Sequence, residues 1–232
     1  MYLIKRNDKT NTEAGVLVKE RPAIPAPEYR YETIDIPGRD GALYSEEEYV
    51  DDITIKITFV FAADPSKWQD LFRKARRWLL DKTDNKLILE DMPGYYYKVK
   101  HTTIGNSERE VKQVGEFEVE FICEGHQYLA SGTYKYEKHE VLYNPYSVSH
   151  PTYLITGNGR CTLTVNGNEF VAEVGQNVTI DTDLMLAYRQ DGRMMNTSVT
   201  GDYQELYLQE GDNTIEITEG FGLKVIPNWR CL

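Results

Sequence analysis

Two stretches of the chain alternate apolar and polar residues so regularly that they leave little choice of fold. In 116-EFEVEFIC-123, Phe117, Val119 and Phe121 fall on one side and Glu116, Glu118 and Glu120 on the other. The run 53-ITIKITFVF-61 alternates in the same way before turning uniformly apolar. A period of two belongs to a β-strand with one face on a core and the other toward solvent or a neighbour. The runs 86-KLILED-91, 95-YYYKVKHTT-103, 134-YKYEKHEVLY-143, 160-RCTLTVNG-167, 168-NEFVAEV-174, 178-VTID-181, 203-YQELYLQ-209, 213-NTIEIT-218 and 222-GLKVI-226 also read as strands. Their spacing predicts a mainly β chain made of sandwiches or barrels. Asn166-Gly167 is the strongest two-residue hairpin signal, and Gly157, Gly159, Gly175, Gly201 and Gly211 read as further turn points, with 157-GNG-159 a turn fragment.

One segment is helical. In 64-DPSKWQDLFRKARRWLLD-81, Asp64 is placed to cap and Pro65 takes the favoured first position. Trp68, Leu71, Phe72, Ala75 and Leu79 form one apolar stripe. The opposite side carries Arg73, Lys74, Arg76 and Arg77. That basic patch reads either as a solvated helix face or as a contact for an acidic neighbour.

A length of 232 residues fits two modest domains or one large β-domain. The stretch 125-GHQYLASGT-133 interrupts two strand runs and marks a division. Residues 1–130 then hold strands and the helix, and residues 131–232 hold only strands, as in a small β-sandwich or jelly roll.

Few signatures of chemistry are present in the sequence. A net charge of −11 opposes binding to nucleic-acid phosphates or anionic lipid. No segment approaches the about 20 apolar residues of a membrane span, so no membrane partner is expected. The start, MYLIKRNDKT, lacks the layout of a secretory signal, which predicts a protein kept inside the cell that makes it. Cys123, Cys161 and Cys231 are odd in number and far apart, arguing against a disulfide framework. His101, His126, His139 and His150 lack ligand spacing, so no metal is expected. Nucleophile elbows, phosphate loops and dinucleotide fingerprints are absent from the sequence, and no cofactor is predicted. Carboxylate pairs such as Asp51 with Asp52, or Glu205 with Glu210, are too easily found among 37 acids to suggest a hydrolase. A sugar-binding module is the alternative worth keeping. Tyr153, Tyr188, Tyr203 and Tyr207 could form an aromatic platform, although tyrosines in strands are more often half-buried sheet residues.

The stretch 36-IPGRDG-41 has its own physics. Pro37 suits the first central place of a turn, Gly38 the positive φ of the second, and Asp40-Gly41 reverses the chain again. The predicted result is a doubly bent loop leading into the acidic segment 45-SEEEYVDD-52.

In order along the chain come a strand, IPGRDG, an acidic stretch, ITIKITFVF, a helix of the KWQDLFRKARRWL kind, YYYKVKHTTIG and VGEFEVEFICEG. The chain closes with 201-GDYQELYLQEGDNTIEI-217 and 223-LKVIPNWRCL-232. This order resembles the distal tail protein family of phages with long, non-contractile tails, over nearly the whole chain. Tyr203 stands where the family often has Trp or Phe, and the region from Leu184 to Val199 lacks the arm insertions of some members. The resemblance implies a structural hub and no enzyme. It implies an amino-terminal β-sandwich or split-barrel-like ring domain with one helix and a carboxyl-terminal galectin-like domain. Six copies would close a ring at the tail tip, with the alternating strands ITIKITFVF and EFEVEFIC offering the edges that pair between protomers. The tail-tube protein would lie above, a tail-associated lysin or fibre protein below, with a receptor-binding protein as a further partner, and DNA would pass without specific binding. Assembly in the host cytoplasm follows. Within that frame Glu46, Glu47, Glu48, Asp51 and Asp52 are candidates to line the channel, and Arg73, Lys74, Arg76 and Arg77 to contact a neighbouring protomer.

Overall fold

The computed structural model describes every residue except Arg39, Ser107, Lys112 and 138–140, with backbone alone described at 46–48 and 108–111. The chain is mainly β and divides into two compact units, Met1–Gln127 (with Leu232) and Tyr128–Cys231.

The first unit contains β1 (Ile4–Arg6), β2 (Lys9–Thr10), α1 (Asn11–Ala14), β3 (Leu17–Val18), β4 (Tyr29–Ile34), β5 (Leu43–Val50), β6 (Ile53–Ala62), α2 (Trp68–Leu80), β7 (Lys86–Leu89), β8 (Tyr95–Ile104), β9 (Glu108–Val111) and β10 (Val114–Leu129), whose last two residues enter the second unit. Its sheet runs β2-β1-β7-β8-β10-β6-β3, with β9 on β10. The alternation seen in the sequence sets the register. Phe117 faces Phe59 across β10 and β6, and Phe121 faces Ile55, while Lys56 and Glu120 face each other on the outer side and form an ion pair. On the inner side, Phe117 stacks on Phe59 at 5.5 Å and meets Phe72 of α2 edge-on at 5.2 Å. Trp68, Ala75, Trp78 and Leu79 of α2 are buried against this sheet. Trp78 completes the stripe. Its indole N–H donates to the Arg6 carbonyl, so an apolar ring with one polar tip sits in the core without an orphan donor.

Two local expectations are corrected. The helix starts at Trp68, because Asp64 to Lys67 close a turn through the Lys67 N–H and the Asp64 carbonyl. Asp64 therefore does not cap and Pro65 is not the first helical residue. A second helix, α1, was hidden in 10-TNTEAG-15. Thr10 and Glu13 form a reciprocal capping box, and Gly15 ends the turn at φ +87°. Four residues are too few to show a periodicity.

The second unit contains β11 (Tyr136–Glu137), β12 (Val141–Asn144), β13 (Thr152–Val165), β14 (Asn168–Asp181), β15 (Leu186–Tyr188), β16 (Val199–Thr200), β17 (Gly211–Ile217) and β18 (Gly222–Ile226). One sheet path runs β11-β18-β13-β14-β15, with β17 bridging β13 and β12. Asn166 and Gly167, at φ +51° and +86°, turn β13 directly into β14. Gly157 and Gly159 lie inside β13, paired with Gln176 and Val174, so GNG is a bend within a strand and not a turn. Residues 203–209 are not the expected strand. Gln204–Leu206 form a 3-10 turn that puts Leu206 in the core.

Candidate assembly surface

The outer strands decide which backbone groups remain available. β10 lies inside the sheet between β8 and β6, so the expectation that EFEVEFIC supplies an open edge is wrong. ITIKITFVF does supply one. On the side of β6 away from β10 its partner is the two-residue β3, opposite Phe59 and Val60, and the Lys19 N–H donates to the Thr58 carbonyl at 2.9 Å. Successive residues of a strand point their N–H and C=O to opposite sides. Thr54 and Lys56 therefore present theirs on the same side as Thr58. Among the described residues no strand pairs with them there.

Beside this edge in sequence stands a second unsatisfied feature. β4 and β5 form a separate two-stranded hairpin, and every residue of β4 is exposed. Tyr29, Tyr31, Ile34, Leu43, Tyr44 and Tyr49 are 41–64% exposed, with Tyr31 and Tyr44 in edge contact at 5.5 Å. An isolated two-stranded hairpin is marginally stable in water, and this one spends large apolar side chains on solvent. At the hairpin tip, Gly38 and Gly41 take φ +82° and +78°, and Pro37 precedes them. The bends read in IPGRDG thus close a hairpin.

The acidic run belongs to strand β5 and its end rather than to a loop. The side chains of Glu46, Glu47 and Glu48 lie outside the described residues. Asp51 pairs with Arg30 at 2.8 Å and Asp52 with Lys100 at 2.7 Å, so these two acids face different cations and not each other. On α2, Arg73 pairs with Asp70 at 2.6 Å and Lys74 donates to the Glu13 carbonyl at 2.8 Å. Arg76 covers the Phe72 ring at 5.7 Å, and Arg77 is exposed. Half of the basic patch is therefore tied down within its own unit.

Of the four tyrosines read as a platform, Tyr188 is half-buried at the end of β15, and the other three are held by packing. Tyr153 is fully buried, donates to the Leu206 carbonyl at 2.8 Å, and burial drives its pKa far upward. Tyr203 packs on Phe170 and Tyr207 stacks on His150 at 4.0 Å. His150 is fixed by Asp183 at Nδ1 and by Arg230 at Nε2, each at 3.0 Å. Because a guanidinium only donates, Nε2 accepts and Nδ1 carries the proton. Cys123 and Cys161 are buried, and burial pushes the Cys123 thiol up to about 12. His101 and His126 belong to β8 and β10, and His139 lies outside the described residues. Among the described residues no three His, Cys, Asp or Glu side chains gather as a metal would require, and no helix is long and apolar enough to cross a membrane.

Residues 15–123, which contain the free edge and the hairpin, match the family described as phage tail protein RIFT-related domain. Over those residues the first unit is similar to the phage-tail RIFT-related domain. The whole chain superposes on the Dit protein of SPP1 with a TM-score of 0.66, 14% identity and 100% coverage of both chains. That structure is described as a paradigm of the hub adsorption apparatus in phages infecting Gram-positive hosts. Curated protein sequences give no match. The resemblance to distal tail proteins read from the sequence is borne out by both comparisons.

Proposed function

We propose that this chain is a distal tail protein, a structural hub whose copies close a hexameric ring at the tip of a long non-contractile phage tail. The observation that carries this reading is the unpaired side of β6 at Thr54 and Lys56 together with the exposed β4–β5 hairpin, both inside the phage-tail domain. A strand edge with no strand paired to it at Thr54 and Lys56 among the described residues is a template for another chain, and a heterologous contact of that kind closes into a ring when the rotation fits. The first unit builds the ring around a channel for DNA, and the second projects outward as a galectin-like domain. The ring joins the tail-tube protein to a tail-associated lysin or fibre protein, and a receptor-binding protein can attach at its rim. Copies assemble in the host cytoplasm and reside at the virion tail tip.

The acids of β5 line the channel in this reading, where like charge keeps DNA phosphates from adhering. Arg76 and Arg77 contact the neighbouring protomer. Native mass measurement and negative-stain imaging of the purified chain, alone and mixed with its tail-tube protein, test the proposal. Rings of six copies are expected, and a monomer under both conditions contradicts it. The sugar-binding alternative is disfavoured, because Tyr153, Tyr203 and Tyr207 are committed to packing.

A further inference from the structure

A cavity of about 220 Å³ in the first unit, beside the carboxyl end of α2, is lined by Arg6, Lys82, Asn85, Lys100, His101 and Thr102 among others, and no carboxylate is in its wall. On a chain of net charge −11 such a wall is unusual. Arg6 is only 2% exposed, and its partners are backbone carbonyls: Nε donates to Leu79 at 3.0 Å and Nη2 to Asp81 at 3.3 Å. The Phe121 ring lies 5.6 Å from the guanidinium carbon. Nη1 is buried with nothing to accept from it among the described residues, and Thr102 Oγ1 is buried and unpartnered in the same way. Among the described residues no carboxylate hydrogen-bonds the Arg6 guanidinium, although Asp84 and Asp81 lie near enough to favour its charge. Asp81 accepts from Thr83, Asp84 from the Lys86 N–H, and Asp52 from Lys100.

Burial lowers the pKa of Arg6, and the charges of Asp84 and Asp81 offset that only in part. A donor without an acceptor is a further cost. One bound oxyanion would satisfy both defects, because Nη1 and the Thr102 hydroxyl can donate to it while Lys82 supplies charge at the mouth. The volume lies below the roughly 300–1,000 Å³ of sites for larger organic ligands, so the ligand is small. We propose that this cavity binds a small oxyanion, a carboxylate or phosphate group, supplied either as a free ion or by an acidic side chain of another chain.

The test uses the full chain and two probes, inorganic phosphate and a tetraglutamate peptide, with ionic strength held constant by chloride. Arg6 is too deeply packed to alter safely, so the variant is Lys82→Ala with His101→Ala, both exposed residues. Calorimetry or amide-shift titration should show saturable one-to-one binding of at least one probe, weakened about tenfold or more in the double variant, as loss of charged donors implies. It should be unchanged in Lys135→Ala of the second unit. Tighter peptide binding identifies another chain as the source, and tighter phosphate binding identifies a free ion. Absence of saturation with both probes, or binding that the double variant retains in full, overturns the proposal.

Discussion

Replacing Thr54 with proline separates assembly from folding at a single atom. The Thr54 N–H points to the open side of β6, away from β10, so among the described residues removing it takes no hydrogen bond from the protomer. Proline is tolerated on an edge strand for that reason, and the preceding Ile53 is already in the extended strand that a following proline favours. In the ring, the same change leaves the facing carbonyl of the next copy without its donor. An orphaned buried acceptor costs about 1–3 kcal/mol, which is about 5- to 150-fold in the association constant of each interface. Sedimentation velocity should therefore show Thr54→Pro shifted toward monomer at concentrations where the parent chain forms rings, with an unchanged thermal midpoint for the dissociated protein. Ile55→Pro is the contrast. Its N–H points into the β6–β10 ladder and its side chain is fully buried, so it should lose the fold itself. Rings of undiminished stability in Thr54→Pro, or equal unfolding of the two variants, would refute the edge argument.

Other outcomes follow from the same packing. Phe117→Ala opens a hole between Phe59, Phe61 and Phe72 and should cost about 3–5 kcal/mol in denaturant unfolding of the first unit. Gly115→Ala puts a methyl within 2.6 Å of the Phe61 ring and 2.7 Å of Trp68, and an overpacking loss of about 1–3 kcal/mol is expected. Cys123 should give the first unit an alkaline weakness. Its thiol ionises near 9.0 when unfolded but only at about 12 when folded, so the unfolded state loses its proton first. Stability is intact below 9 and falls as pH rises toward 12, at up to about 1.4 kcal/mol per pH unit. Cys123→Ala should flatten that fall, and equal slopes would contradict it. Charge reversal of Arg76 and Arg77 should weaken ring assembly more at low salt than at high salt, and assembly unaffected at any salt would leave the patch a solvated face. Neutralising Glu46, Glu47, Glu48, Asp51 and Asp52 together should slow genome delivery by assembled particles, and unchanged delivery would remove the channel role.

Strict alternation made β6 and β10 legible, because a one-residue slip would have turned Phe59 and Phe117 to water. The stripe of α2 was equally plain, as was Asn166-Gly167. Which side of which strand stays open was not legible. Side-chain period reports the two faces of a sheet and says nothing of its two edges, and EFEVEFIC and ITIKITFVF carry the same pattern while only the second has a free side. β4 was legible only as the strand before IPGRDG, without bounds, because YRYETI buries neither face and no core marks it with a period. The run 203-YQELYLQ-209 alternated by accident, its Leu206 reaching the core from a turn and its Leu208 from a single bridge to Ser149. The oxyanion cavity left no sequence signal, since Arg6, Lys82 and His101 meet only after three separate elements pack.

Hydrogen exchange at the Thr54 and Lys56 amides, measured on dissociated protein and on assembled tail tips, tests the central claim most directly. Edge pairing predicts rapid exchange at both amides in the free protomer and strong protection in the assembly, with the Ile55 and Ile57 amides protected in both. Exchange at Thr54 and Lys56 that stays equally rapid in assembled particles would contradict it.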